Sequence, residues 1–116
     1  MKRVFISQAF HGHSEDYIMK VREVVKEKLE KEYPDEEIEI VDQYHQDEPP
    51  EEFKETDTRR RLWYLSNSIK ILATCDFCVF VTGHIASPGC CVEKEVVKRY
   101  GINYMFIPVS ANELKG

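Results

Sequence analysis

Hydrophobic positions along this chain follow two alternating rhythms. Val4-Phe5-Ile6 is a continuous apolar run, the mark of a strand covered on both faces, and it predicts a first strand over Arg3 to Gln8. A loop from Ala9 to His13, containing Gly12, separates it from a helical rhythm at Ile18, Val21, Val25 and Leu29. Ser14 reads as the N-cap of that helix, Glu15 and Asp16 fill its first turn, and Pro34 stops it. The acidic turn Pro34-Asp35-Glu36-Glu37 leads into a second strand, Ile38 to Val41. Leu62, Leu65, Ile69 and Leu72 mark a second helix, and Asp76 opens a third strand, Phe77 to Val81. A turn at Ser87-Pro88-Gly89 introduces a third helix, Val92 to Tyr100, with Gly101 as its C′ residue. Tyr104 to Val109 completes the pattern as a fourth strand, and the tail from Ser110 is short.

Strands alternating with helices imply a parallel sheet with helices on both faces. Right-handed crossovers then give an α/β, flavodoxin-like three-layer sandwich with a parallel sheet of four to five strands. A fifth strand is either missing or hidden in the polar segment Asp42 to Asp57, which holds Pro49-Pro50 and six acidic residues between Asp47 and Asp57. A loop of that length is functional or mobile. The 116 residues suit one domain, 1–116, with one core and no internal repeat. In such sheets ligands bind beyond the C-terminal strand ends. Ser7 to Gly12, Asp42 to Tyr44 and Thr82 to Glu93 should therefore surround one crevice, with Ser110 and Asn112 on the same side.

Charge and cysteine content narrow the possibilities. A net charge of −5 argues against broad nucleic-acid binding but leaves room for a local pocket holding one small anion. No apolar run approaches the roughly 20 residues of a membrane helix, so no membrane partner is expected. Met1-Lys2-Arg3 runs straight into a strand without a signal-peptide core, and the expectation is a cytoplasmic protein. Cys75, Cys78, Cys90 and Cys91 lack ribbon or finger spacing, and they read as small buried hydrophobes in a reducing compartment, with no metal site. Cys90 and Cys91, at a helix N-terminus, also admit a thiol of lowered pKa.

The chemistry concentrates at Ser87-Pro88-Gly89-Cys90-Cys91-Val92-Glu93. A glycine-containing turn between strand and helix aims N–H groups at whatever lies above it, which suits an anion. Glu93 then falls in the first helical turn, where the dipole favours its ionised form. A carboxylate beside an anion cradle suits attack on a sugar whose other end carries a phosphate. The plainer reading of Glu93 is a dipole-complementing surface residue, and that of Ser87 is turn chemistry before Pro88.

Three segments carry a family likeness: VFISQAFHG, LSNSIKILATCDFCVF and GHIASPGCCVEKEVVKRYGI. Together they resemble the nucleoside 2-deoxyribosyltransferase superfamily, and most closely a small branch whose first strand reads Phe-Ile-Ser-Gln. The resemblance implies that Glu93 attacks the anomeric carbon to form a glycosyl-enzyme, because a carboxylate stabilises an oxocarbenium-like transition state and yields an ester that water or a second base can open. It also implies that Ser87 distinguishes substrates. Transferases of free nucleosides carry aspartate there, whereas the branch hydrolysing nucleoside 5′-monophosphates carries serine, which does not repel phosphate. Ser87 and the Gly89 N–H then hold the 5′-phosphate, with Ser7 and Gly12 as further contacts. One departure stands out. Where family members place an aspartate that handles the nucleobase proton, this chain has Asn67-Ser68; Ser68 can hydrogen-bond a base, but neither residue is a good general acid. Family members form dimers or larger assemblies, so a homodimer or higher homo-oligomer is implied, with Ser110 or Asn112 completing a neighbour's site.

The remaining candidates are weaker. Gln8, Gln43 and Tyr44 are placed to contact a base, and Phe10, Phe53, Trp63 and Tyr64 to stack on one, although packing is their commoner use. His11 and His13 flank Gly12 but lack a third ligand. His84, just before Ser87, is the histidine best placed for proton transfer, with a solvated loop position as its ordinary role. Arg59-Arg60-Arg61 reads as a salt-bridged surface beside Glu51, Glu52, Glu55 and Asp57. A receiver domain would need acidic residues where Ser7-Gln8 stands, a low-molecular-weight phosphatase a cysteine loop, and a flavodoxin more hydroxyls; GxGxxG and P-loop patterns are absent. The sequence thus points to N-glycosidic bond cleavage, by hydrolysis or transfer, of a nucleoside or nucleoside 5′-monophosphate, without a cofactor. The alternative is a non-catalytic nucleotide sensor with the same pocket.

Overall fold

The computed structural model describes residues 1–115. Strand β1 (Lys2–Ser7) sits at the centre, paired in parallel with β2 (Ile38–Ile40) on one side and β3 (Phe77–Val81) on the other. Strand β4 (Asn103–Ile107) pairs in parallel with β3, so the sheet order is β2-β1-β3-β4. Val4, Phe5, Ile6 and the whole of β3 are buried, as strands covered on both faces require. The chain is the α/β, flavodoxin-like arrangement that the alternating rhythms imply, with a four-stranded sheet.

Helix α1 (Glu15–Glu32) covers one face. Ser14 caps it by accepting a hydrogen bond from the Tyr17 N–H at 3.1 Å. Its Val21, Val25 and Leu29 pack against Val4, Ile6 and Val79. Helices α2 (Asp57–Leu72) and α3 (Pro88–Tyr100) belong to the other face, where Leu72 and Val97 meet Phe5, Cys78 and Phe80. Because side chains alternate along a strand, Phe5 and Ser7 project toward α2 and α3, while Val4, Ile6 and Gln8 project toward α1. The chain moves from β1 outward to β2 and then returns past β1 to β3. The strand order therefore reverses between β1 and β3, where ligand crevices form in open α/β sheets.

Several boundaries differ from the sequence reading. β1 ends at Ser7 rather than Gln8, and β2 at Ile40 rather than Val41. Pro108, with no N–H to donate, follows the end of β4 at Ile107. No strand occurs in the segment 42–57; a 3-10 turn, Glu51–Phe53, occurs instead. That segment is pinned by His45, whose ring bonds Asp42 at 2.7 Å and Glu15 of α1 at 2.6 Å; these carboxylates raise the imidazole pKa, with Glu15 contributing most. Leu62, expected on the core stripe of α2, is 58% exposed, whereas Leu72 is fully buried. The tail forms a short helix, α4 (Ala111–Lys115), held to α1 by Lys28 and Glu113 at 2.6 Å. Arg59 pairs with Glu55, and Arg60 and Arg61 with Asp57, so the arginine run is a salt-bridged surface.

The two leucines of α2 give a direct check on its orientation. Leu72→Ala should cost about 2–5 kcal/mol in urea unfolding, as truncation of a buried leucine does. Leu62→Ala should stay within about 0.5 kcal/mol. Equal costs at the two positions would contradict the assignment of the buried face.

Candidate functional site

Ser7 and Glu93 meet at the reversal point of the sheet. Ser7, the last residue of β1, is fully buried, and its hydroxyl donates to Glu93 Oε1 at 2.7 Å. Glu93 itself is only 6% exposed. Among the described residues the only sealed, unpartnered side-chain polar atom is His84 Nε2, so Glu93 Oε2, which has no bonding partner, still reaches solvent. One carboxyl oxygen is thus anchored by Ser7 and the other is unpaired, at the margin of solvent contact in a buried residue.

The helical frame around Glu93 differs from the sequence reading. Helix α3 begins at Pro88, which occupies its first position, and not at Val92. Ser87 is the N-cap and accepts from the Cys90 N–H at 3.3 Å. Glu93 then stands at the sixth helical position, beyond the first turn, where the dipole's influence has faded. Burial dominates instead and pushes the carboxyl up to about 7, with the Ser7 hydrogen bond working in the opposite direction. The expectation of an acid held ionised by the dipole is corrected to one held partly protonated by desolvation.

The anion cradle is also narrower than a bare helix N-terminus. Pro88 has no N–H, the Cys90 N–H serves Ser87 Oγ, and the Cys91 N–H serves the Ser87 carbonyl at 3.0 Å. Gly89 retains the one unclaimed N–H of the first turn, beside the Ser87 hydroxyl hydrogen. A Cβ placed on Gly89 would sit 3.8 Å from Leu65 Cδ1 and 4.0 Å from Ser87 Oγ, an ordinary contact. The backbone does not demand glycine here; the missing side chain leaves space over the helix start. Cys90 is buried, and burial raises its thiol pKa, which overturns the lowered-pKa reading of that residue. All four cysteines are free thiols.

Gln8 and Gln43 are locked into a different cluster. Gln8 points toward α1, where its Oε1 accepts from Arg22 Nη1 at 2.9 Å and its Nε2 donates to the Ile18 carbonyl at 3.4 Å. Gln43 Oε1 accepts from Arg22 Nη2 at 3.0 Å, and Gln43 Nε2 donates to the Ile6 carbonyl at 2.6 Å. Arg22 also donates to the Val41 carbonyl. Arg22 is buried among these neutral acceptors, and desolvation lowers its pKa while the charge of Asp42 opposes that shift. The two glutamines build the strand ends and do not face Glu93. The helical stripe predicts this arginine's inward position, since Arg22 lies four residues after Ile18 and three before Val25.

The other candidates scatter. Phe10 and Tyr44 pack edge to face at 4.8 Å above the strand ends. Gly12 adopts a left-handed φ of 81° in an exposed loop, with open space around it. Ser68 is buried, and its hydroxyl lies 3.4 Å from Gln46 Nε2; Asn67 donates to Gln46 Oε1 at 3.2 Å. Ser110 accepts from the Glu113 N–H at the start of α4, and Asn112 is exposed. His84 is buried rather than solvated. Trp63 and Asn67 line a concavity of about 490 Å³ beside Asp42 and His45, and a second of about 380 Å³ lies on the outer side of α1 against Glu113; neither is lined by Glu93. No helix among the described residues is long and apolar enough to cross a membrane, and none of their His, Cys, Asp and Glu side chains gather as a metal-binding group of three or more.

No family model matches this sequence, and neither a curated protein nor a solved structure matches it significantly.

Burial of Glu93 links folding to pH. Below about pH 4.5 the carboxyl is protonated whether the chain is folded or not. Between that value and about 7 the unfolded chain releases the proton and the folded chain keeps it, so stability falls as pH rises. Above about 7 the loss levels off at roughly 3 kcal/mol. Glu93→Gln keeps the acceptor for Ser7 and removes the titration. Its unfolding free energy, from urea titration, should match wild type near about pH 4 and exceed it near about pH 8.5, by up to roughly 3 kcal/mol. Equal stability at both pH values would contradict a desolvated carboxyl.

Proposed function

We propose that this protein binds a nucleoside 5′-monophosphate or a related nucleoside and cleaves its N-glycosidic bond with Glu93 as nucleophile. The observation that carries the reading is the Ser7–Glu93 pair at the point where the sheet order reverses, with Oε1 held and Oε2 unpaired. In the reaction Oε2 attacks C1′, the C1′–N bond breaks, and the base leaves with the bonding electrons. Water then opens the glycosyl ester and releases the sugar phosphate. Ser7 keeps the carboxyl in one orientation and, by bonding to it, favours the ionised form that attacks. The Gly89 N–H and the Ser87 hydroxyl are the phosphate contacts in this reading. Transfer to a second base in place of water is the close variant.

A non-catalytic nucleotide sensor is the second reading, and one observation favours it. Asn67 and Ser68, where the family likeness would put a proton donor for the base, are neutral and engaged by Gln46. A pocket without that donor suits binding better than turnover.

Free-base release from ribo- and deoxyribonucleoside 5′-monophosphates, followed by chromatography, separates the two. An enzyme releases base in the wild type, loses release in Glu93→Ala, and shows kcat/KM rising with pH through about 7 as the nucleophile ionises. A sensor gains melting temperature with nucleotide and releases nothing. Ser87→Asp probes the phosphate contact without losing the helix cap, since aspartate caps as well as serine. The variant should fold with wild-type stability and bind the 5′-monophosphate at least about tenfold more weakly, while a free nucleoside is little affected. Unchanged monophosphate binding in Ser87→Asp would overturn the assignment of the phosphate to this helix start.

A further inference from the structure

His45 joins the segments that leave the C-terminal ends of two neighbouring strands. It stands in the loop that follows β2, and its ring reaches the first residue of α1, which follows β1 after the loop 8–14. Nδ1 is 2.7 Å from Asp42 Oδ2, and Nε2 is 2.6 Å from Glu15 Oε1. An ionised carboxylate only accepts, so both ring nitrogens donate, and only an imidazolium has two N–H groups. The bridge as it stands is therefore that of a protonated histidine.

The two ends of the bridge are held unequally. Asp42 Oδ1 accepts from the Tyr44 and His45 N–H groups at 2.9 and 3.0 Å, so Asp42 belongs to the histidine's own turn. Among the described residues the Glu15 side chain has no partner besides His45. No other cation touches either carboxylate; Arg22 acts on Asp42 through its charge and makes its hydrogen bonds elsewhere. Tyr44 packs edge to face on the imidazole at 4.9 Å. Across the concavity that His45 lines, Asp47 and Glu48 add negative charge, with Glu48 paired to Lys54 at 3.1 Å, and α2 presents only the uncharged Trp63, Asn67 and Ile71. On the α1 side Asp16 follows Glu15 in the first turn, and His11 and His13 lie in the exposed loop before it.

We propose that His45 is a pH-operated clasp between the start of α1 and the loop after β2: as an imidazolium it holds Glu15 and Asp42 together, and on losing its proton it keeps Asp42 and releases Glu15. A neutral ring has one N–H and one lone pair. Asp42, fixed in the same turn, keeps the remaining proton on Nδ1. The Nε2 lone pair then faces Glu15 Oε1, and two acceptors do not stay at a hydrogen-bond distance without a donor between them. Arg22 still binds the Val41 carbonyl and Gln43, and Gln46 still donates to the Tyr64 carbonyl of α2 at 3.2 Å, so the loop after β2 stays in place. The part set free is the first turn of α1 with the loop 9–14 before it, which keeps the edge-to-face contact of Phe10 with Tyr44. Open α/β sheets take up ligands at these strand ends. The clasp therefore makes this end of the sheet tighter in mild acid and looser in mild alkali, whatever the ligand, and does not depend on the catalytic reading.

An NMR titration of the histidine ring nitrogens tests the proposal, at low ionic strength because salt screens exposed ion pairs. His45 should titrate above the ordinary histidine value of 6.5, since its bonds to Glu15 and then to Asp42 favour the charged ring. Above the midpoint the proton should sit on Nδ1, and the nuclear Overhauser contact between the His45 ring and the Glu15 side chain should be lost. The amides of 9–15 should shift with the same midpoint. His11 and His13 titrate in that loop too, so Glu15→Ala is the control: it keeps both, lowers the His45 midpoint and abolishes only the step that belongs to the clasp. Glu15→Gln restores a partner for the neutral ring, because its amide can donate to Nε2, and the ring contact should then persist in alkali. Glu15 is exposed, so both variants should keep the wild-type fold. A His45 midpoint at or below about 6.5 would overturn the proposal. A Glu15 contact that survives deprotonation in the wild type, or a neutral ring protonated at Nε2, would overturn it equally.

Discussion

A parallel sheet must be covered on both faces, and with Val4 to Ser7 of β1 and all of β3 buried this requirement organises the rest of the molecule. Val4 and Ile6 need α1; Phe5, Cys78 and Phe80 need α2 and α3. The crossovers that deliver those helices bring the start of α3 to the C-terminal end of β1. Ser7 continues the β1 alternation on the α3 face, and Glu93, one turn and a half into the helix, meets it there. The carboxyl is consequently placed among apolar and thiol neighbours rather than in water. Its altered acidity comes from the layer architecture, not from a charged partner. The same requirement goes unmet at β4, where α3 covers β3 and no further helix follows on that face.

Two polar devices refine this frame. Arg22 reaches from α1 to the loops after β1 and β2, and its bonds to Gln8, Val41 and Gln43 fix the strand ends without any carboxylate in contact. A buried guanidinium is expensive unless its donors are filled. Here the side-chain amides and a backbone carbonyl accept from it. The result is a set of strand ends cross-linked on the α1 side of the sheet. On the other side the N-cap of α3 uses up most of the first-turn donors. Any anion bound there relies on Gly89 N–H and the Ser87 hydroxyl, so the site suits one phosphate oxygen better than a whole phosphate cradle.

The sequence carries the layout clearly and the site only in part. Val4-Phe5-Ile6 and the stripe at Ile18, Val21, Val25 and Leu29 identify β1 and α1, because full burial leaves uninterrupted or periodic apolar residues. Pro88-Gly89 looks like a turn, yet proline fits the first helical position as well as it fits a turn, and only the cap at Ser87 tells them apart. That four-residue difference in where α3 starts changes the electrostatic reading of Glu93 from dipole to desolvation. Gln8 directly follows Ser7, yet period-two alternation sends it to the opposite face of the sheet. Leu62 satisfies the α2 spacing and still lies outside, since apolar spacing does not tell how far a helix extends past its sheet. His84 gives no sequence signal of burial, because its enclosure depends on Phe80 and Phe106, which come from two different strands.

The central claim is that Glu93 is a desolvated carboxyl held at one oxygen by Ser7. Its side-chain carbon can be followed by NMR through a pH titration, in the wild type and in Ser7→Ala. The account predicts a midpoint at about 7 in the wild type and a higher one in Ser7→Ala, because the hydroxyl bond favours the ionised form. A wild-type midpoint near the ordinary glutamate value of about 4.3, unmoved by Ser7→Ala, would contradict both the burial of the carboxyl and its anchoring.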